Sequence, residues 1–200
     1  LMGFLSPAAE GAKVNRRSAW NILIATIPIV LVGGALFHII ETDLRSILLV
    51  AATTIIFGLF LGWTDKHYPI RKSLDEMTAK DALIIGFFQI LALLPGTSRS
   101  GITMSAARIV GLDRTEAAHF SMLLSIPTIL GAGTLAASNL VSAGNVEVGR
   151  EAVTGAIASG LFALCVISLL MRWIGRIGFT PFVIYRMILG AGLIVLYFAA

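Results

Sequence analysis

The chain has 200 residues, of which 57% are hydrophobic and only 13% charged, and its mean hydropathy is +0.91. Soluble domains carry about 25% charged residues, so an ordinary water-soluble core is excluded and an integral membrane protein is expected. The net charge of +4 does not point to nucleic acid, because the basic residues sit in short loops beside apolar segments, where they set membrane orientation.

The opening "LMGFLSPAAEGAKVNRRS" begins with Leu1. Its basic residues follow the apolar stretch, which is not the order of a signal peptide, and the stretch reads as starting partway through a longer protein. "AWNILIATIPIVLVGGALFHII" (19–40) predicts a spanning helix. Pro28 and Gly33-Gly34 are expected to kink or thin it, which membranes tolerate. A short turn, "ETDLR", leads to a second span, "SILLVAATTIIFGLFLGW" (46–63). The loop 64–81 is the most polar part of the chain. "ALIIGFFQILALL" (82–94) follows, with only 13 residues before Pro95-Gly96. At 1.5 Å per residue it reaches about 20 Å, short of the ~30 Å hydrocarbon core. It reads as a re-entrant half-helix, with "ITMSAARIVG" (102–111) as the returning arm. Three more spans are expected at 116–140, with a kink at Pro127, at 151–173 and at 181–200. The expected fold is all-α: one polytopic transmembrane domain over 1–200, with five spans and one re-entrant helix pair at about 82–111.

The basic residues support that topology. Lys13, Arg16, Arg17, Lys66, Arg71, Lys72, Lys80, Arg108, Arg114, Arg172 and Arg176 fall on one side if the pair enters and leaves by the same face. Only Arg45 and Arg150 fall on the other. The basic side is cytoplasmic, which puts the start of the chain inside and its end outside. Trp20, Trp63 and Trp173 lie at span ends, as interfacial anchors. Cys165, the single cysteine, is expected to be a small packing residue. Gly131, Gly133, Gly155, Gly160, Gly190 and Gly192 are expected to permit close helix packing.

The break "PGTSRSG" (95–101) carries the chemistry. Irregular backbone at membrane depth survives only where protein buries it or a watery cavity receives it. Free N–H groups at the start of the returning helix favour anions. Arg99 adds a permanent charge in a planar fork suited to phosphate. Thr97, Ser98 and Ser100 add donors, and Thr103 lies on the side of Ser100 by i, i+3 spacing. Gly96 and Gly101 would let a ligand approach the backbone. Together they describe an anion cradle, the alternative being a plain turn from which Arg99 snorkels to headgroups.

At these residues the chain resembles the undecaprenyl-diphosphate phosphatases, also called bacitracin-resistance proteins. Their signature Pro-Gly-x-Ser-Arg-Ser-Gly, followed shortly by Thr, reads here Pro95-Gly96-Thr97-Ser98-Arg99-Ser100-Gly101, then Thr103. "DEMTAKDALIIGFFQILALLPG", "GLDRTEAAHFSMLLSIPTILGA", "GFTPFVIYRMILGAGLI" and "IPIVLVGGALFH" extend the resemblance over nearly the whole chain. It implies a multi-pass enzyme of the bacterial inner membrane that removes one phosphate from the polyprenyl diphosphate carrier of cell-wall synthesis. It also implies an inverted-repeat architecture with two re-entrant pairs and a divalent cation, Mg2+ or Ca2+. Arg99 and Ser98 would be catalytic, and Ser100, Gly101, Thr103, Thr97, Gly96 and Gln89 would bind phosphate. The family's other signature, two glutamates four apart before a Pro-x-Ser-Ser-Thr-Gly-His run, is not in this sequence. Glu10 and Glu41 stand alone, and His38, His67 and His119 have other neighbours. No metal ligands are therefore expected within these 200 residues, and the stretch by itself is expected to be inactive.

Other polar residues have two readings each. Gln89 could orient phosphate or a metal-bound water, or could hydrogen-bond between helices. Arg186 could snorkel near the basic face or reach the cavity. Glu116 and His119 read as a helix N-terminal charge and a surface histidine. Partners would be the lipid substrate and membrane lipids; a homodimer stays open. A transporter or flippase of an anionic polyprenyl lipid is the alternative from another class, since broken half-helices facing an anion are also a transporter device.

Overall fold

The computed structural model describes residues 16–43, 46–142 and 146–199, with no strand among them. The elements are α1 (Arg16–Asp43), α2 (Ile47–His67), α3 (Ala79–Ile90), α4 (Arg99–Ile109), α5 (Arg114–Ser142), α6 (Val146–Ile177) and α7 (Thr180–Ala199). Single 3-10 turns occupy Leu74–Glu76 and Leu91–Leu93. Five stretches are long and apolar enough to cross a membrane: Arg16–Ala35, Ile47–His67, Arg114–Thr134, Val153–Ile177 and Thr180–Ala199. They fall on the five predicted spans, and the fold is an all-α polytopic membrane protein. Pro28 and Pro127 both lie inside continuous helices.

α3 and α4 have 12 and 11 residues, about 18 and 17 Å at 1.5 Å per residue. Neither can cross a ~30 Å core alone. α3 starts where Thr78 and Asp81 form a reciprocal cap. It ends in the 3-10 turn before Pro95, which has no N–H to continue a helix. At the base of the hairpin, the N–H groups of Arg71 and Lys72 donate to the Gly111 carbonyl at 2.9 and 3.3 Å. The chain therefore enters and leaves this pair at one end.

That end also holds the C-terminus of α2. Arg108 donates to the Tyr68 carbonyl at 2.6 Å, and Arg114 Nε donates to Asp65 Oδ1 at 2.7 Å. The hairpin tip meets α2 at Thr53 and Thr54. Twelve residues separate Thr53 from Asp65, so the tip lies about 18 Å from the base, past the midpoint of a helix about 31 Å long.

Two seams hold the bundle. α1 and α3 approach until a Cβ on Gly86 would sit 2.6 Å from the Ala25 carbonyl oxygen. Ala25, Ala82 and Ile85 are fully buried there, in one core with Ala106, Ala107, Phe120 and Leu124. α2 and α7 run antiparallel, with Gly62 against Val183, Gly58 against Arg186 and Gly190 against Ile55. Leu61, Met104, Ala118, Ile174 and Phe179 form a second core.

Several sequence expectations need correction. Of the glycines assigned to close packing, only Gly190 serves it. A Cβ on Gly131, Gly133, Gly155, Gly160 or Gly192 would meet nothing within 4 Å, because α6, the outer part of α5 and the Gly192 face of α7 look outward. Residues 153–169 of α6 are all exposed, and Cys165 is exposed with them instead of packed. Trp20, Trp63 and Trp173 are exposed near helix ends, as anchors should be.

Candidate functional site

The break between α3 and α4 is docked onto two other helices. Thr53 Oγ1 donates to the Pro95 carbonyl at 2.5 Å, and Thr54 Oγ1 to the Gly96 carbonyl at 3.2 Å. Gly96 has φ +89°, where a side chain is strained. A Cβ there would overlap Thr53 Oγ1 and the Val50 carbonyl. The space that glycine leaves is thus filled by α2, and not by a ligand as its position in the motif suggested.

Arg186, on α7, closes the dock from the other side. Its Nε donates to the Thr54 carbonyl at 3.1 Å, Nη1 to the Thr97 carbonyl at 2.7 Å and Nη2 to the Gly96 carbonyl at 2.8 Å. The residue is 6% exposed. No carboxylate pairs with it among the described residues. It neither snorkels to the basic face nor projects into open space. A Cβ on Gly101 would lie 3.1 Å from Arg186 Nη1. Gly101 therefore makes room for this guanidinium, where a ligand's approach was expected.

α4 begins beyond the dock. Ser98 is its N-cap, and Ser98 Oγ accepts from the Gly101 N–H at 3.2 Å. Ser98 is also the one non-glycine residue with positive φ among the described residues, at φ 67° and ψ 112°. It is exposed, and its Oγ lies 3.4 Å from Ser100 Oγ. Arg99 is half-buried, and its Nη1 donates to the Ser125 carbonyl at 3.2 Å and to Thr128 Oγ1. Its charge is thereby tied to α5.

The remaining candidates divide. Thr103 is 1% exposed. Its hydroxyl donates to the Arg99 carbonyl at 2.9 Å and pairs with Ser121 Oγ at 2.6 Å. The i, i+3 relation to Ser100 is real, but the helix turns Thr103 into the seam with α5, away from the exposed Ser98. Thr97 is fully buried and Gln89 is 1% exposed. The Thr97 hydroxyl and both amide atoms of Gln89 have no hydrogen-bond partner among the described residues, so the interhelical bond considered for Gln89 is not made. Glu116 accepts from the Leu74 N–H at 3.0 Å, a bond that ties α5 to the polar loop.

Sequence reasoning passed over Thr53 and Thr54 and gave Arg186 no definite role. The signal was present: two adjacent hydroxyls in the apolar run "VAATTIIF" and an arginine inside "PFVIYRMILG". Polar groups at such depth need a partner, and each of these finds the broken loop.

A family model, described as bacitracin resistance protein BacA, matches residues 2–192 of the chain. Among curated relatives, the undecaprenyl-diphosphatase of Hahella chejuensis is 47% identical over 190 residues, covering 95% of this chain and 71% of that protein. That of Chromohalobacter salexigens is 47% identical over 184 residues, covering 92% and 69%. That of Saccharophagus degradans is 44% identical over 200 residues, the whole of this chain and 75% of that protein.

Proposed function

The chain belongs to the bacitracin resistance protein BacA family, and from that premise we propose that it works as an undecaprenyl-diphosphatase. It is a membrane hydrolase of undecaprenyl lipid recycling, and its substrate is undecaprenyl diphosphate. The observation that carries the reading is the kinship, at 44–48% identity with relatives of that name. Restored undecaprenyl phosphate would re-enter cell-wall synthesis in the inner membrane, and a larger supply of it would underlie bacitracin resistance.

Hydrolysis breaks a P–O–P bond, and negative charge shifts on the phosphoryl oxygens as it breaks. Donors placed beforehand at those oxygens are the main catalytic lever in such reactions. In our reading Arg99 faces that charge, with Ser98 and Ser100 donating beside it. The N–H groups of Arg99 and Ser100 lie in the first turn of α4, where no intrahelical acceptor exists, and serve the same oxygens. Thr97 is on the buried side of the loop, and Gln89 is buried on α3. Gly96 and Gly101 give the loop its shape, and Thr103 fixes α4 against α5.

The residues described do not fit a divalent cation. No group of three or more His, Cys, Asp or Glu among them could hold one, and the contacts of the loop are hydroxyls, carbonyls and guanidinium groups. Mg2+ or Ca2+ would need carboxylates from other residues, and no step here is routed through it.

The orientation is part of the proposal. Lys72, Arg114 and Arg176 would lie at the cytoplasmic end. A cysteine at Lys72 or Arg176 should react only from inside and one at Ser46 only from outside; labelling of Lys72 and Ser46 from one side refutes it.

The function is tested by phosphate release from undecaprenyl diphosphate in proteoliposomes. Arg99→Ala should lower turnover by about 10²–10³, and Arg99→Lys should recover it only in part, for lack of the bidentate fork. Thr128→Val removes one of the two tethers of Arg99 but keeps its charge, and should cost far less. Near-normal turnover in Arg99→Ala would show that the cradle is not where the reaction occurs. Lipid movement without phosphate release would favour a transporter.

A further inference from the structure

The Thr97–Ser98 peptide is held against its own preference. Ser98 has φ 67° and ψ 112°, outside the regions open to residues with a Cβ. A flip of the peptide plane would move that φ by about 180°, to roughly −113°. With ψ unchanged, Ser98 would then lie in the broad β region. The observed orientation is therefore the costly one, and something must hold it.

Arg186 is the holder. The Thr97 carbonyl accepts from Arg186 Nη1 at 2.7 Å, and the Gly96 carbonyl accepts from Nη2 at 2.8 Å. Flipping the peptide would tear the Thr97 carbonyl from a buried guanidinium. The neighbours are shaped for this contact: a Cβ on Gly58 would meet Arg186 Nε at 3.3 Å, and one on Gly101 would meet Nη1 at 3.1 Å. The guanidinium lies between two glycines that leave room for it.

The peptide bond is planar and trans, so its C=O and N–H point in opposite directions. With the Thr97 carbonyl turned toward α7, the Ser98 N–H points away from α7, and Ser98 is exposed. We propose that Arg186 is a positioning residue: by holding the Thr97 carbonyl it keeps the Thr97–Ser98 peptide in its strained orientation and directs the Ser98 N–H toward the phosphate of the substrate. In the flipped orientation a carbonyl oxygen would face that phosphate and repel it. The inference rests on the reading of residues 97–100 as the phosphate site.

The test is a set of double mutants in the full-length protein, assayed for kcat and KM in proteoliposomes. Arg186→Met should lower kcat by about 10²–10³, the loss seen when one well-placed donor to developing charge is removed, with little change in KM. Ser98→Ala and Ser98→Gly both remove the hydroxyl, but only glycine accepts the positive φ without strain. The loss caused by Arg186→Met should therefore be at least about tenfold smaller beside Ser98→Gly than beside Ser98→Ala. Equal losses in the two backgrounds, or normal kcat in Arg186→Met, would overturn the inference. If Arg186→Met does not fold, Arg186→Lys takes its place in the same cycle. Ser98→Gly should also melt above Ser98→Ala in the protein with Arg186 intact, and equal melting would count against the strain. Arg99→Ala is run alongside. If it keeps its turnover the phosphate-site reading falls; if it is dead and the cycle shows no coupling, only the role of Arg186 falls.

Discussion

Gly96→Ala is the sharpest perturbation of the dock that leaves every polar group of the site in place. Alanine at φ +89° costs about 1–3 kcal/mol in backbone strain. The new methyl overlaps Thr53 Oγ1 and the Val50 carbonyl, so the loop must lift from α2. Lifting stretches the bonds from Thr53 to Pro95 and from Thr54 to Gly96, each worth about 0.5–1.5 kcal/mol, and the bond from Arg186 to Gly96, worth about 1.5–3 kcal/mol. A central sum is about 6 kcal/mol, between four and five factors of ten in the population of the docked loop. The cores around Phe120 and Phe179 are untouched, so the helices should stay assembled. The expected result is a loss of at least ~10² in phosphate release from a protein that still folds, with thermal unfolding lowered by the lost docking bonds. Gly133→Ala, where a Cβ meets nothing within 4 Å, is the control and should keep its activity. A Gly96→Ala protein within about threefold of normal turnover would show that docking on α2 does not shape the site.

Two further outcomes concern the base of the hairpin. Asp65 accepts from Arg114 at 2.7 Å and lies 3.7 Å from the buried Arg108; Asp65→Asn should destabilise the protein by about 3 kcal/mol, at the low end for a broken buried pair because Arg114 is half exposed. Unchanged thermal unfolding would refute this. For Asp81, burial raises the carboxyl, but hydrogen bonds from Thr78 and Lys72 outweigh it and hold it below its ordinary value of 3.8. The folded state then binds this proton less readily than the unfolded one, so the stabilisation is present above about pH 4 and is lost as pH falls through the folded value. Melting followed from pH 6 to pH 3 should show that loss, and Lys72→Met should weaken it.

Much of this protein is determined by properties that run along the chain. Five apolar runs of sufficient length specify five spans, because hydrocarbon accepts no unpaired backbone. The shortness of 82–94 and the Pro95-Gly96 stop specify a broken helix pair, whose two ends the structure brings together at Arg71, Lys72 and Gly111. The run Pro95–Gly101 marks where the helix pair breaks, which is where the proposed phosphate site lies. Its partners are a different matter. Thr53 and Thr54 reach the loop across 42 residues, and Arg186 reaches Thr97 across 89. No local pattern specifies such pairings, since a buried hydroxyl or guanidinium is satisfied by whichever carbonyl the packing brings to it. The same packing decides which glycines matter. Gly58, Gly62, Gly86 and Gly190 sit where two helices nearly touch, while Gly133 and Gly160, alike in sequence, face outward. It also turns Thr103 into the α4–α5 seam and leaves Ser98 exposed. Hydropathy and charge act on each segment separately and set its place in the membrane; the direction of a peptide at the tip of a broken helix depends on which side chains three other helices bring to it.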